Sequence, residues 1–183
     1  HRLEIIRFFH EIGCNVFIFD YRGYGKSKGS PSESGLYTDA RAAYGYLISR
    51  PIAPERIIGY GESLGGAVII DLAYRNKLAG LIVSSTFSSA KDMVKLIYPF
   101  LPHWIFSSRL DSLEKIKSIA AHKLMIHSLN DEIVPYALGR KLYNGALEPK
   151  EFLQIHGGHN SSFFESEGIL RKKIAGFIKK LPE

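Results

Sequence analysis

Two rhythms of apolar residues alternate along the chain: short unbroken runs, and longer stretches with apolar positions three and four apart. Leu3, Ile5, Ile6, Phe8, Phe9 and Ile12 keep the second spacing and predict a helix that Gly13 is suited to end in a left-handed cap. Asn15 to Asp20 (NVFIFD) is short, β-branched and aromatic without alternation, the pattern of a strand buried on both faces. A second helix is predicted from Glu33 to Ser49, with Leu36, Ala40, Ala43 and Leu47 on one face and Pro51 and Pro54 closing it. Ile57-Ile58, Gly80 to Ser84 (GLIVS), Lys123 to His127 (KLMIH) and Glu151 to Ile155 (EFLQI) read as further strands, separated by helical segments. Strand and helix thus alternate five times, which predicts an α/β fold: a mostly parallel sheet with helices on both faces. The connection at 86–110 is longer than a crossover needs and is read as a lid. Its apolar side chains, among them Phe87, Met93, Phe100 and Trp104, either line an acyl-chain pocket or pack on the core, and periodicity does not separate the two.

One stretch breaks the rhythm. Arg56 to Ile70 (RIIGYGESLGGAVII) runs apolar, turns to glycines around a serine, and becomes apolar again at helical spacing through Leu64, Val68, Ile69, Leu72 and Ala73. Gly61-Glu62-Ser63-Leu64-Gly65 fits GxSxG, a strand-to-helix turn tight enough to lift the serine hydroxyl above a sheet. Gly25-Lys26-Ser27-Lys28-Gly29 has the same spelling, but no apolar strand enters it and no apolar helix leaves it, so Ser27 is read as a turn residue.

A serine hydroxyl needs a base, and the base needs an orienting carboxylate. In a parallel sheet such groups collect in loops that follow the carboxyl ends of strands. His159, after two glycines in Ile155-His156-Gly157-Gly158-His159-Asn160, passes that filter, and so does Asp131 in His127-Ser128-Leu129-Asn130-Asp131-Glu132. Glu132 stays an alternative acid and His156 an alternative base. The remaining histidines follow no strand end with a matching motif and are read as structural or solvent-facing.

The order Ser63, Asp131, His159, together with Asp20 to Ser27 (DYRGYGKS), GYGESLGG, Asn130 to Pro135 (NDEIVP) and Gly157 to Asn160 (GGHN), resembles the α/β-hydrolase superfamily, nearest its esterase, thioesterase and lysophospholipase-like branch. The four motifs span Asp20 to Asn160. The resemblance implies Ser63 as nucleophile, His159 as general base then acid, Asp131 as its orienting carboxylate, and the Leu64 backbone N–H as one oxyanion donor. It also implies hydrolysis of a small-molecule acyl ester or thioester through an acyl-enzyme. An aminopeptidase-like activity on the same three residues, and a non-catalytic domain that keeps them, are the competing readings.

The sequence departs from the family upstream. The loop that gives the second oxyanion donor and the first strands of the family sheet are not in the chain, which starts at His1. The third family strand belongs between Asn15–Asp20 and the strand into Ser63, so its absence leaves a gap with unpaired backbone. The 183 residues are therefore expected to be part of a longer natural chain. Smaller departures are Ser128, where glycine is common, and Ala121-His122, where proline is common.

Composition narrows the rest. With 45% hydrophobic and 23% charged residues, the 183-residue chain is expected to form a single domain with a real core, not a disordered or fibrous one. The net charge of +6 is scattered apart from Arg171 to Lys173 and Lys179-Lys180, read as the solvated face of a last helix, so no nucleic-acid partner is expected. A membrane surface is left open as a partner. A cytoplasmic location is favoured, with an upstream leader or anchor left open. Cys14 alone forms no internal disulfide and is read as an inert core thiol. No histidine, cysteine or carboxylate group has metal-ligand spacing, and a dinucleotide reading of Gly59, Gly61 and Gly65 lacks the acidic residue it needs, so neither metal nor cofactor is expected.

Overall fold

The computed structural model describes residues 2–97 and 109–182. Its centre is a four-stranded parallel sheet whose spatial order equals its order in the sequence: β1 (Ile58–Glu62), β2 (Gly80–Ser84), β3 (His122–Ser128) and β4 (Lys150–Ile155). Every neighbouring pair is parallel, so each connection crosses over the sheet, and helices fill the crossovers. The period-two geometry of a strand sends alternate residues to opposite faces. Ile82, Leu124, Ile126 and Ile155 point to one face, where they pack with Phe8 and Phe9 of α1 (Arg2–Glu11) and with Leu170, Ile174 and Phe177 near the carboxyl end of the chain. Leu81, Val83 and Met125 point to the other, against Ile70, Ile116 and Leu142. Both faces are covered, which explains why the strands read as unbroken apolar runs.

Local chemistry sets the helix ends. α1 closes at Gly13, whose φ of 88° lets its N–H bond back to His10 O while Cys14 N bonds to Phe9 O. α2 (Glu33–Ile48) starts at Ser32, whose hydroxyl accepts from the Gly35 N–H at 3.1 Å. α3 (Leu64–Arg75) follows β1 directly and buries Val68, Ile70 and Leu72. Its Asp71 is fully buried and bonded to Arg75 and Lys115, so the charge is compensated. The remaining helices are α4 (Ala90–Ile97), α5 (Ser112–Ile116), α6 (Tyr136–Gly145), α7 (Ser162–Glu165) and α8 (Glu167–Ile178).

The structure bears on three expectations. Asn15–Asp20 is not a strand: it has no regular secondary structure and, among the described residues, pairs with no strand, and Val16, Phe17, Ile18 and Phe19 are 40%, 46%, 53% and 37% exposed. An apolar run becomes a strand only where a neighbour takes its N–H and C=O groups, and among the described residues β1 pairs on one side only, with β2. Phe17 instead stacks on Tyr46 of α2, with ring centroids 5.4 Å apart. Secondly, of the connection read as a lid, the structure describes 86–97 and 109–110. Residues 90–97 form α4, Phe87 is buried with Ala67, Val134 and Leu138, and Met93 packs beside them. The expectation for Phe100 and Trp104 falls on residues outside those described. Thirdly, basic residues in and just after α8 are ion-paired as well as solvated. Lys173 and Lys180 both bond to Glu151 of β4, and Arg171 bonds to Glu11 and Glu167. Among the described residues no helix is long and apolar enough to cross a membrane.

Candidate active site

β1 ends in the turn that carries Ser63. Ser63 has φ 53° and ψ −121°, left-handed backbone that a side chain adopts only at a cost of about 1–3 kcal/mol. The turn is held there by close packing. A Cβ at Gly61 would stand 2.6 Å from the Gly65 carbonyl carbon, and one at Gly66 would stand 2.5 Å from Thr86 Cβ, whereas one at Gly65 would meet only Tyr21 Oη at 3.8 Å. The glycines the turn requires are therefore Gly61 and Gly66; the second glycine of the GxSxG spelling has room. Ser63 N donates to Ser84 O at 2.9 Å and Thr86 Oγ1 donates to Ser63 O at 2.8 Å, so the serine backbone is fixed to the end of β2. Ser63 occupies the cap position of α3, yet its hydroxyl makes no capping bond. The Leu64 N–H is the first of α3, one of the amides a helix leaves without an internal partner, at the positive end of the helix dipole.

Asp131 and His159 stand at the same carboxyl edge, beyond β3 and β4, and they meet. His159 Nδ1 lies 2.9 Å and 2.8 Å from the two Asp131 oxygens, with both residues buried. Asp131 also accepts from Ile133 N at 3.0 Å and from Val134 N at 2.7 Å, which fixes the carboxylate by bonds other than that to the ring. Burial alone would raise the Asp131 pKa, but the bonds from His159, Val134 and Ile133 outweigh it and hold the carboxyl below its ordinary value. The same bond raises the pKa of His159, against the effect of burial and with help from the charges of Asp131, Glu62 and Glu132. Among the described residues no hydrogen bond joins Ser63 Oγ to His159.

The alternatives separate by geometry. His156 turns its Nδ1 to Asn130 Oδ1 at 3.3 Å and is exposed. Glu132 does not reach the His159 ring; its Oε2 accepts from the His159 main-chain N–H at 2.9 Å. Ser27 is a turn residue, its hydroxyl bonded to Asp20 O at 2.9 Å. Cys14 is partly buried, and burial raises its pKa.

Three contributors to the site went unrecognised in the sequence. Glu62, next to Ser63, is half-buried, and its pKa is raised by burial and by Asp131, against the pull of Arg2 and His159. His127 is buried behind Asp131, 3.6 Å from Oδ2, with Nε2 2.9 Å from Val134 O, and burial lowers its pKa. Gly139 makes room for it: a Cβ there would lie 2.8 Å from the imidazole Cγ. Ser128, the departure from the family pattern, donates to Gly157 O and so ties the acid loop to the histidine loop. A serine where glycine was expected was the available signal.

The family model described as serine aminopeptidase, S33, matches residues 3–115. The chain belongs to this α/β-hydrolase family. It is 41% identical over 180 residues to an uncharacterized protein of Mycobacterium tuberculosis, covering 97% of this chain and 64% of that one. It is 43% identical over 146 residues to protein bem46 of Schizosaccharomyces pombe, covering 74% and 48%. The chain thus spans less than two thirds of the length of these family members. The esterase domain of a Rhodothermus marinus protein superposes with a TM-score of 0.75 at 19% identity over 98% of this chain and 79% of that one, which shows the shared fold.

Proposed function

We propose that this α/β-hydrolase cleaves carboxylic esters or thioesters by acyl transfer to Ser63. The observation that carries the reading is the buried Asp131–His159 pair at the same sheet edge as a serine held at positive φ whose hydroxyl caps no helix amide. In this scheme His159 Nε2 takes the Ser63 proton as the oxygen attacks the carbonyl, and Asp131 keeps Nδ1 protonated and steadies the imidazolium that forms. The Leu64 N–H faces the developing oxyanion. His159 then protonates the leaving group, and water, activated by the same ring, releases the acid. General acid–base work of this kind contributes ~10²–10⁴-fold.

A fluorophosphonate probe tests it: the full chain should be labelled at Ser63, and labelling that persists in Ser63→Ala sinks the assignment. A second reading, cleavage of an amino-terminal peptide bond, is favoured by the description of the matched family. The same three residues would serve it, so profiling aryl esters, acyl thioesters and aminoacyl amides side by side separates the two by relative kcat/KM.

A further inference from the structure

The direction of the His159 ring depends on what holds its backbone. Its loop begins at Gly157, with φ 105°, and passes through Gly158, so two consecutive residues lack side chains to anchor it. The Asp131 carboxylate fixes one point of the ring, Nδ1; a ring held at one point still pivots if its Cα moves.

We propose that Glu132 is a positioning residue for His159: adjacent carboxylates of the acid loop divide the histidine between them, Asp131 gripping the ring and Glu132 gripping the main chain. Glu132 Oε2 accepts from His159 N at 2.9 Å, and a Cβ on Gly158 would stand 3.0 Å from that same oxygen, so a side chain at 158 would crowd the carboxylate where it meets the peptide. With Nδ1 and N both tied to one loop, the direction of Nε2 is set by the acid loop. The two loops are joined at two further points, Ser128 Oγ to Gly157 O and Asn130 Oδ1 to the His156 ring, which places the Glu132 bond within a clamp rather than as an isolated surface contact. The Glu132 charge also favours the imidazolium, in keeping with the raised pKa of His159. A carboxylate that merely capped the turn at 158–162 would add stability and leave the ring alone.

This inference rests on the proposed catalytic roles, and its test separates the two. Glu132→Ala and Glu132→Gln would be made in the full chain and compared with the parent on a short-chain p-nitrophenyl ester, alongside Ser63→Ala and His159→Ala. Glu132→Ala is expected to lose about 10- to 100-fold in kcat with little change in KM, the range a displaced catalytic group costs. Glu132→Gln keeps an acceptor and should recover most of that kcat, yet both variants should shift the inflection of kcat/KM to lower pH because the charge is gone. Nuclear magnetic resonance reads the same grip without turnover: the His159 amide should exchange about tenfold faster in Glu132→Ala. An unshifted inflection in Glu132→Gln, an unchanged kcat in Glu132→Ala, or unchanged His159 amide exchange overturns the positioning role. Ser63→Ala or His159→Ala retaining full activity instead overturns the catalytic reading, and His159 amide exchange still decides Glu132.

Discussion

At the scale of single residues, the turn at Ser63 concentrates strain and close approach in a few atoms. Gly61 lies against the Gly65 carbonyl, and Gly66 lies against Thr86, which in turn holds Ser63 O. Gly61→Ala and Gly66→Ala should each cost about 1–3 kcal/mol, the usual penalty for forcing atoms into a filled site. Gly65→Ala, which meets nothing closer than 3.8 Å, should cost less than about 1 kcal/mol. Urea unfolding of the three variants checks the ranking, and equal losses at all three would contradict it. The spelling GxSxG marks a strand-to-helix turn, but it names one glycine that the packing does not require and passes over another that it does. That information lies in the distance to Thr86, twenty residues on, where no local pattern registers it.

Secondary-structure elements were legible in proportion to how self-contained their causes are. β2, a run of five buried residues, could be recognised because both its faces meet helices. Asn15–Asp20 has a comparable apolar run, Val16 to Phe19, and is not a strand, because being a strand depends on a neighbour as well as on the segment. The links between the acid and histidine loops were invisible for a related reason. They join Ser128 to Gly157 and Glu132 to His159, side chain to backbone across a sheet edge, and no periodicity reports such pairs. One consequence is measurable by amide exchange of the 183-residue chain. β3 is flanked by strands on both sides and β1, among the described residues, on one. Amides of Leu124 to Ile126 should therefore exchange more slowly than those of Ile58 to Tyr60, and equal protection would mean that something covers the free side of β1.

For the whole molecule, charge sets the response to acid. Bonds to Arg22 lower the pKa of Asp39; at Asp92, burial is outweighed by Lys141 and Ser88; at Asp131, it is outweighed by His159. Glu151 is brought to about 2, the opposing effect of burial being overcome by Lys173 and Lys180. Groups depressed on folding give their full stabilisation above the unfolded values of 3.8 for aspartate and 4.5 for glutamate, and lose it as pH falls through the folded ones. Stability should therefore decline between about pH 5 and pH 2, and Glu151→Gln should flatten the lower end of that decline. His159 acts with opposite sign: its raised pKa gives stability that is complete below 6.5 and fades as pH climbs through the folded value. Thermal unfolding across pH 2–8 checks both limbs, and a curve that rises toward pH 2 would refute the assignment.

The sheet order carries a consequence in time. Because β1, β2, β3 and β4 lie side by side in the order they are synthesised, each strand leaving a ribosome finds its partner already made. His159 follows Ser63 by 159 − 63 = 96 residues, a delay of roughly 5–20 s at ordinary rates of translation. For the first 131 − 63 = 68 residues of that interval the nascent chain holds the serine turn and the growing sheet but neither the acid nor the base, and the base comes last. Its hydrolytic chemistry, on the reading proposed above, switches on only when the last strand docks.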